Sequence, residues 1–230
     1  IVGVEMKIFL QSVKKFRVLW IFVVIVAVLS IFADYSRRNR EDIIYPESLD
    51  VVVATVEEED ITLREFALYV AFQEAEVQKQ AEVYEPDDTR KYWNIHTDGV
   101  FISQAARNEA MSMAIHDEIF YQMSVELGLS LNDEERQILQ NDVDDFWYDL
   151  TDDEKEKKLG ITKDDIYLAM EKIAYAQKAQ AICAGMDGVD YSDYDYYEEV
   201  FQDFLGDYKY QVNDKVLERL DFGDITLNHE

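Results

Sequence analysis

Four helix-start signals constrain this chain more than any other feature. Thr62 with Glu65, Asn132 with Glu135, Thr151 with Glu154 and Thr162 with Asp165 each set a small polar acceptor three residues before an acid. That spacing makes a capping box, in which each side chain bonds a backbone N–H orphaned at a helix start. Apolar residues recur at helical spacing behind the boxes: Phe66, Val70 and Ala71; Ile138, Leu139, Val143 and Phe146; Ile166, Met170, Ile173 and Ala174, with Gln177 on the same face. The chain holds 8 Gly and 2 Pro in 230 residues, with no proline after Pro86. Long helices follow from that scarcity, and a many-stranded sheet does not.

Between the helices, the β-branched run Val51–Val56 reads as a short strand followed by an acidic turn at Glu57–Asp60. Residues 81–99 contain Pro86, Asp87, Asp88 and Asp98-Gly99 and read as loop, with Tyr92 and Trp93 folding back onto the core. A long helix is predicted over 102–127, with Ile115, Ile119, Phe120, Met123 and Leu127 in register and Gly128 as its left-handed stop. A closing helix is predicted over 194–220, with Tyr197, Phe201, Phe204, Tyr208, Val212 and Val216 inward. Phe222–Leu227 then reads as a terminal segment whose strand, 225–227, lies near the strand at 52–56.

Val18 to Ala33 are sixteen residues without a charge, between basic clusters at Lys7, Lys14, Lys15, Arg17 and at Arg37, Arg38, Arg40. As a helix the span rises about 24 Å, short but workable for a bilayer core of about 30 Å. It reads as a signal anchor retained in the membrane, or as a signal peptide cut after Ala33. The slight excess of cations before it favours the N-terminus inside. The expected organisation is a cytoplasmic segment 1–17, the anchor 18–33, a linker 34–50 and a helical domain 51–230 facing out of the cytoplasm.

Net charge is -27, although residues 1–40 carry more cations than acids. The domain behind the span is therefore strongly acidic and repels nucleic acid. It is no disordered acidic tail, because 48% of the chain is apolar and 13% aromatic. Cys183 is the single cysteine, so no intrachain disulfide forms, and it reads as a small buried hydrophobe. His96, His116 and His229 are far apart, and His116 reads as a satisfied core histidine. The carboxylate pairs Asp144-Asp145 and Asp152-Asp153 sit at helix ends, where the macrodipole suits them. Asp187, Gly188 and Asp190 lack the ligand spacing of a calcium loop. Neither a catalytic residue, a metal site nor a cofactor site is expected.

Three stretches in order resemble the N-terminal module of the SurA and PrsA extracytoplasmic foldases. The first is Val53-Ala54-Thr55-Val56 with Ile61-Thr62 and Glu65-Phe66. The second runs from Ala110 and Ala114 through Glu118, Ile119, Tyr121 and Gln122 to Gly128, Leu129, Leu131 and Glu134-Glu135. The third is Leu159-Gly160-Ile161-Thr162 with Asp165-Ile166 and Ala174–Lys178. The family's Asn-Gly hairpin is Glu57-Glu58 here, which predicts a looser turn. Only a short linker, Ala184–Ser192, stands where family members insert a parvulin prolyl isomerase domain, so that activity does not carry over.

The resemblance implies a mainly α fold: a multi-helix chaperone module with a small β element joining its two ends, behind one transmembrane helix. It implies a membrane-anchored, non-catalytic holder of unfolded, newly exported polypeptides. A cell-envelope scaffold with one partner, and an isomerase in the family sense, are the alternatives. Met111, Met113, Met123, Tyr191, Tyr194 and Tyr196 are the expected client-binding residues: thioether chains adapt, and Tyr offers a rigid apolar face with a polar tip.

Overall fold

The computed structural model describes residues 43–228. The span at 18–33, its flanks through residue 42 and the last two residues lie outside the described residues. Among those described, no helix is long and apolar enough to cross a membrane.

The chain is mainly helical. Helix α1 (Leu63–Tyr84), α3 (Ile102–Glu126) and α5 (Lys163–Asp187) pack mutually, and α4 (Asp133–Asp149) lies on α5. Phe66 of α1, Ile119 and Phe120 of α3 and Ile166 of α5 are fully buried, and Phe120 stacks on Phe204 and packs against Phe201 of the segment after α5. Gly128 takes φ +64 at the end of α3, and Gly128 and Leu129 N–H bond the carbonyls of Val125 and Ser124. That is the Schellman stop the sequence predicts.

Three of the four capping boxes close. Asn132 and Glu135, Thr151 and Glu154, and Thr162 and Asp165 exchange reciprocal bonds. Thr62 and Glu65 do not. The first N–H groups of α1 bond elsewhere: Leu63 to the Val51 carbonyl and Arg64 to that of Leu49. Glu65 is thereby released to pair with Lys172 of α5 at 3.0 Å, and Lys172 also meets Glu118 of α3 at 2.8 Å. One ammonium thus pins all three long helices. Burial pushes the Glu65 carboxyl up, against the pull of Lys172, while the two carboxylates hold Lys172 above its ordinary value despite burial.

The small sheet has the order β2-β1-β5, antiparallel throughout: β1 (Val52–Val56), β2 (Glu59–Thr62) and β5 (Tyr210–Val212). The β1–β2 turn is a tight two-residue connection, not the looser one expected. Glu57 sits at φ +53, a conformation costing an L-residue roughly 1–2 kcal/mol. Its N–H bonds the Lys209 carbonyl at 2.7 Å, and its side chain accepts the Lys209 N–H at 2.8 Å. The neighbouring strand holds a geometry that glycine otherwise supplies.

The predicted closing helix is broken into parts. A 3-10 turn at Tyr191–Tyr194, helix α6 (Glu199–Leu205), β5 and the short α7 (Asp214–Leu217) replace it. Gly206 to Tyr208 fold into successive turns, and Asn213 then bonds the carbonyls of Val53 and Val52. Pairing with β1 outweighs the helical periodicity. Phe201 and Val216 are buried as expected, whereas Tyr197 is exposed.

The β1 partner is therefore β5, and Ile225–Leu227 form no strand. Residues 222–227 instead cross α1 as a strap. Gly223, Ile225 and Thr226 donate backbone N–H groups to the Glu74 carboxylate at 2.6, 3.2 and 2.6 Å, and the Thr226 hydroxyl adds a fourth bond. Lys158 takes the carbonyls of Thr226 and Leu227. Two side chains satisfy the backbone groups that a neighbouring strand would have met. Gly223 passes at φ +102 over Trp93, where any Cβ would lie 2.8 Å from the indole.

Other expectations shift locally. α1 runs to Tyr84, and the predicted loop contains α2 (Thr89–Trp93) and β3 (His96–Thr97), which pairs with β4 (Val100–Phe101) just beyond it. Trp93 is buried, as expected. The short helix after Thr151 is a π-helical turn, Asp153–Leu159. Within the expected linker, Tyr45 is buried and its hydroxyl bonds the Leu63 carbonyl, so residues 43–50 pack with the domain.

Candidate functional site

An open apolar groove of about 310 Å3 lies over α1, α3 and α5. Leu68, Tyr69 and Phe72 come from α1, Met113 from α3, Phe146 from α4, and Met170 and Ile173 from α5. Tyr191 and Tyr196 close it from the segment after α5. Phe72 and Tyr191 are each 43% exposed, so the apolar lining is reachable from water. A second cleft, between α4 and α5, shares Met170, Ile173 and Gln177 with the groove and continues past Leu131 and Ile138.

Three of the six residues expected from the sequence meet here: Met113, Tyr191 and Tyr196. The other three do not. Tyr194 is buried, its hydroxyl bonded to Asp187 and its ring edge-on to Phe120 and Phe204. Met123 points toward α5, where its sulfur lies 3.0 Å from Cys183 Sγ. Met111 is buried and borders a different cleft, with Phe201, Leu205 and Val212. Helical phase explains the split, because Met111 and Met113 stand on different faces of α3.

The polar part of the floor is a chain of bonds. Tyr69 donates its hydroxyl to Asp117 at 3.0 Å, and the other oxygen of Asp117 lies 2.8 Å from His116 Nδ1. His116 Nε2 meets the Tyr194 carbonyl at 2.9 Å. A carbonyl only accepts, so Nε2 is the nitrogen that donates there. His116 is buried with both nitrogens engaged, the satisfied core histidine that its sequence setting suggests.

Every phenol with a displaced titration here is held neutral. Burial, then the nearby Asp117, raises Tyr69 and Tyr191. Burial, then a bond to Glu109, raises Tyr196. Tyr194 is pushed up to about 12 by its bond to Asp187 and by burial. The Tyr69 and Tyr196 hydroxyls are already given to Asp117 and Glu109, so the groove is met by uncharged aromatic faces.

Phe72 and Met170 line the groove without having been expected there. Phe72 had a signal: Leu68, Tyr69 and Phe72 make a second apolar stripe at helical spacing, apart from the Phe66–Val70 stripe that enters the core. Met170 was read as core-facing and is only partly buried. Asp195 stands in the run where acids alternate with Tyr191, Tyr194, Tyr196 and Tyr197, a candidate acidic-aromatic lip, but its place in the groove depends on the broken closing helix.

Among the described residues, no three His, Cys, Asp or Glu side chains cluster in a way that could hold a metal ion. No family model, curated protein or solved structure matches this chain.

Proposed function

We propose that this chain is a non-catalytic, chaperone-like holder of unfolded polypeptides, which binds apolar side chains of its clients in the groove over α1, α3 and α5. The observation that carries the reading is an apolar groove opened to water by exposed Phe72 and Tyr191 and lined further by partly buried Met113, Met170 and Tyr196. Thioethers adapt to side chains of different shape, and Tyr supplies contact area at low entropic cost. The adjoining α4–α5 cleft lets a bound segment run on past one side chain. Element order in residues 51–180, similar to the holder module of SurA and PrsA, supports the same reading. On it, the uncharged residues 18–33 tether the holder at a membrane, with the acidic domain on the extracytoplasmic side.

The test is aggregation. The full chain, in molar excess, slows the aggregation of a chemically unfolded exported protein, and Phe72→Asp weakens that protection. Unchanged aggregation kinetics overturn the proposal. A proline-isomerisation assay on a short peptide stays at background, and turnover there replaces the holder reading with an isomerase one.

A further inference from the structure

The groove has a polar asymmetry that apolar holding alone does not use. No Lys or Arg lines it, and its two acids are Asp117 and Asp195. They differ in how completely they are bonded. Asp117 has one oxygen on Tyr69 and the other on His116, at 3.0 and 2.8 Å. Asp195 has only long contacts, 3.3 Å from Gln180 Nε2 and 3.4 Å from the Tyr197 hydroxyl. Those lie beyond the ordinary range for N–H···O and O–H···O bonds. Gln180 is buried, and its amide nitrogen is shared between the Tyr191 carbonyl at 3.1 Å and Asp195 at the longer distance. The carboxylate is partly buried, held in place and short of donors, beside the apolar faces of Tyr191 and Tyr196.

We infer that the groove selects segments in which a bulky apolar side chain neighbours a Lys or Arg, the apolar group entering between Phe72, Met113 and Met170 and the cation resting on Asp195. This rests on the holder reading and adds a substrate class to it. Complementary charge beside an apolar anchor contributes specificity more than bulk affinity. An acidic residue at the same client position meets Asp195 and Asp117 with like charge and is rejected.

The experiment is fluorescence anisotropy of the full chain with three labelled peptides, identical except for Lys, Gln or Glu beside one Leu-Phe pair. The Lys peptide binds about five- to tenfold tighter than the Gln peptide, and the Glu peptide weakest, the size expected of a partly buried charge contact. Asp195→Asn brings the Lys-to-Gln affinity ratio close to one. Glu59→Gln, which removes one exposed acid outside the groove, leaves that ratio in place. The inference is overturned if Asp195→Asn preserves the ratio, or if Glu59→Gln lowers it equally, since total charge is then the cause. Binding of none of the three peptides overturns the holder reading along with it, whereas equal binding of all three overturns only the charge preference.

Discussion

Helix α1 presents two faces to two different kinds of neighbour. On one, Glu74 is 0% exposed and its carboxylate accepts four bonds from the strap at 222–227. On the other, Phe72 stands 43% exposed at the edge of a groove whose Asp195 carboxylate has only long contacts. Phe72 and Glu74 are two residues apart. Burial raises the Glu74 carboxyl, and its four donors pull the other way. The first face is closed by the protein's own backbone. The second is left open, and the difference separates what holds the fold from what is free to bind.

Substitutions can break that contrast, beginning with the pin at the centre of the bundle. Lys172→Met strands Glu65 beside Glu118, which is nearly inaccessible, and costs roughly 3–5 kcal/mol in chemical denaturation. A loss below about 1 kcal/mol would show that solvent reaches the pair. Glu74→Ala removes the carboxylate that the Gly223, Ile225 and Thr226 N–H groups donate to and costs about 3 kcal/mol. It also exposes residues 222–227 to limited proteolysis before the rest of the domain. Glu74→Gln keeps one acceptor oxygen and falls between wild type and Ala.

The phenols give a smaller, pH-dependent effect. Tyr45, Tyr69, Tyr194 and Tyr196 all titrate above their ordinary value of 10.0 in the folded state, Tyr194 near 12. A raised folded value favours the neutral form, so this contribution is complete below pH 10.0 and is lost as pH rises through the folded values. Denaturation midpoints should hold level to about pH 10 and fall beyond it, and Tyr194→Phe should flatten part of that fall. A midpoint that rises above pH 10 contradicts the sign. Smallest in stability is Phe72→Ser, within about 0.5–1 kcal/mol because the ring is half in water. Its effect belongs to client binding, and a large drop in stability would place Phe72 in the core instead.

Much of the scaffold was readable in the residues. Gly128 and three of the four capping boxes set helix ends where local chemistry places them, and Phe66, Ile119 and Ile166 fell on core faces because helical phase fixes them. The misreadings share a cause. Tyr197 to Val216 repeat at helical spacing, yet residues 210–212 take a strand because β1 offers an unpaired edge more than 150 residues away in sequence. Thr62 and Glu65 had the form of a box, but Leu49 and Val51 carbonyls arrive from outside the helix and Lys172 claims the acid. Glu74 carried no local signal, since its partners are backbone groups of a remote segment. In the groove, Met113, Tyr191 and Tyr196 were identifiable by residue type. Tyr194, Met111 and Met123 share that type but turn toward the core, and type alone does not give direction.

The Glu74 anchor also bears on the order of events during folding. Glu74 and Thr226 are separated by 152 residues, and closing so long a loop in a disordered chain costs roughly 4–5 kcal/mol of entropy. The strap is therefore expected to dock after the three long helices have shortened that loop. Weakening it should leave the refolding rate nearly unchanged and hasten unfolding. Amide hydrogens of Gly223 and Thr226 should exchange through an opening of their own, well below the free energy that exposes Ile119.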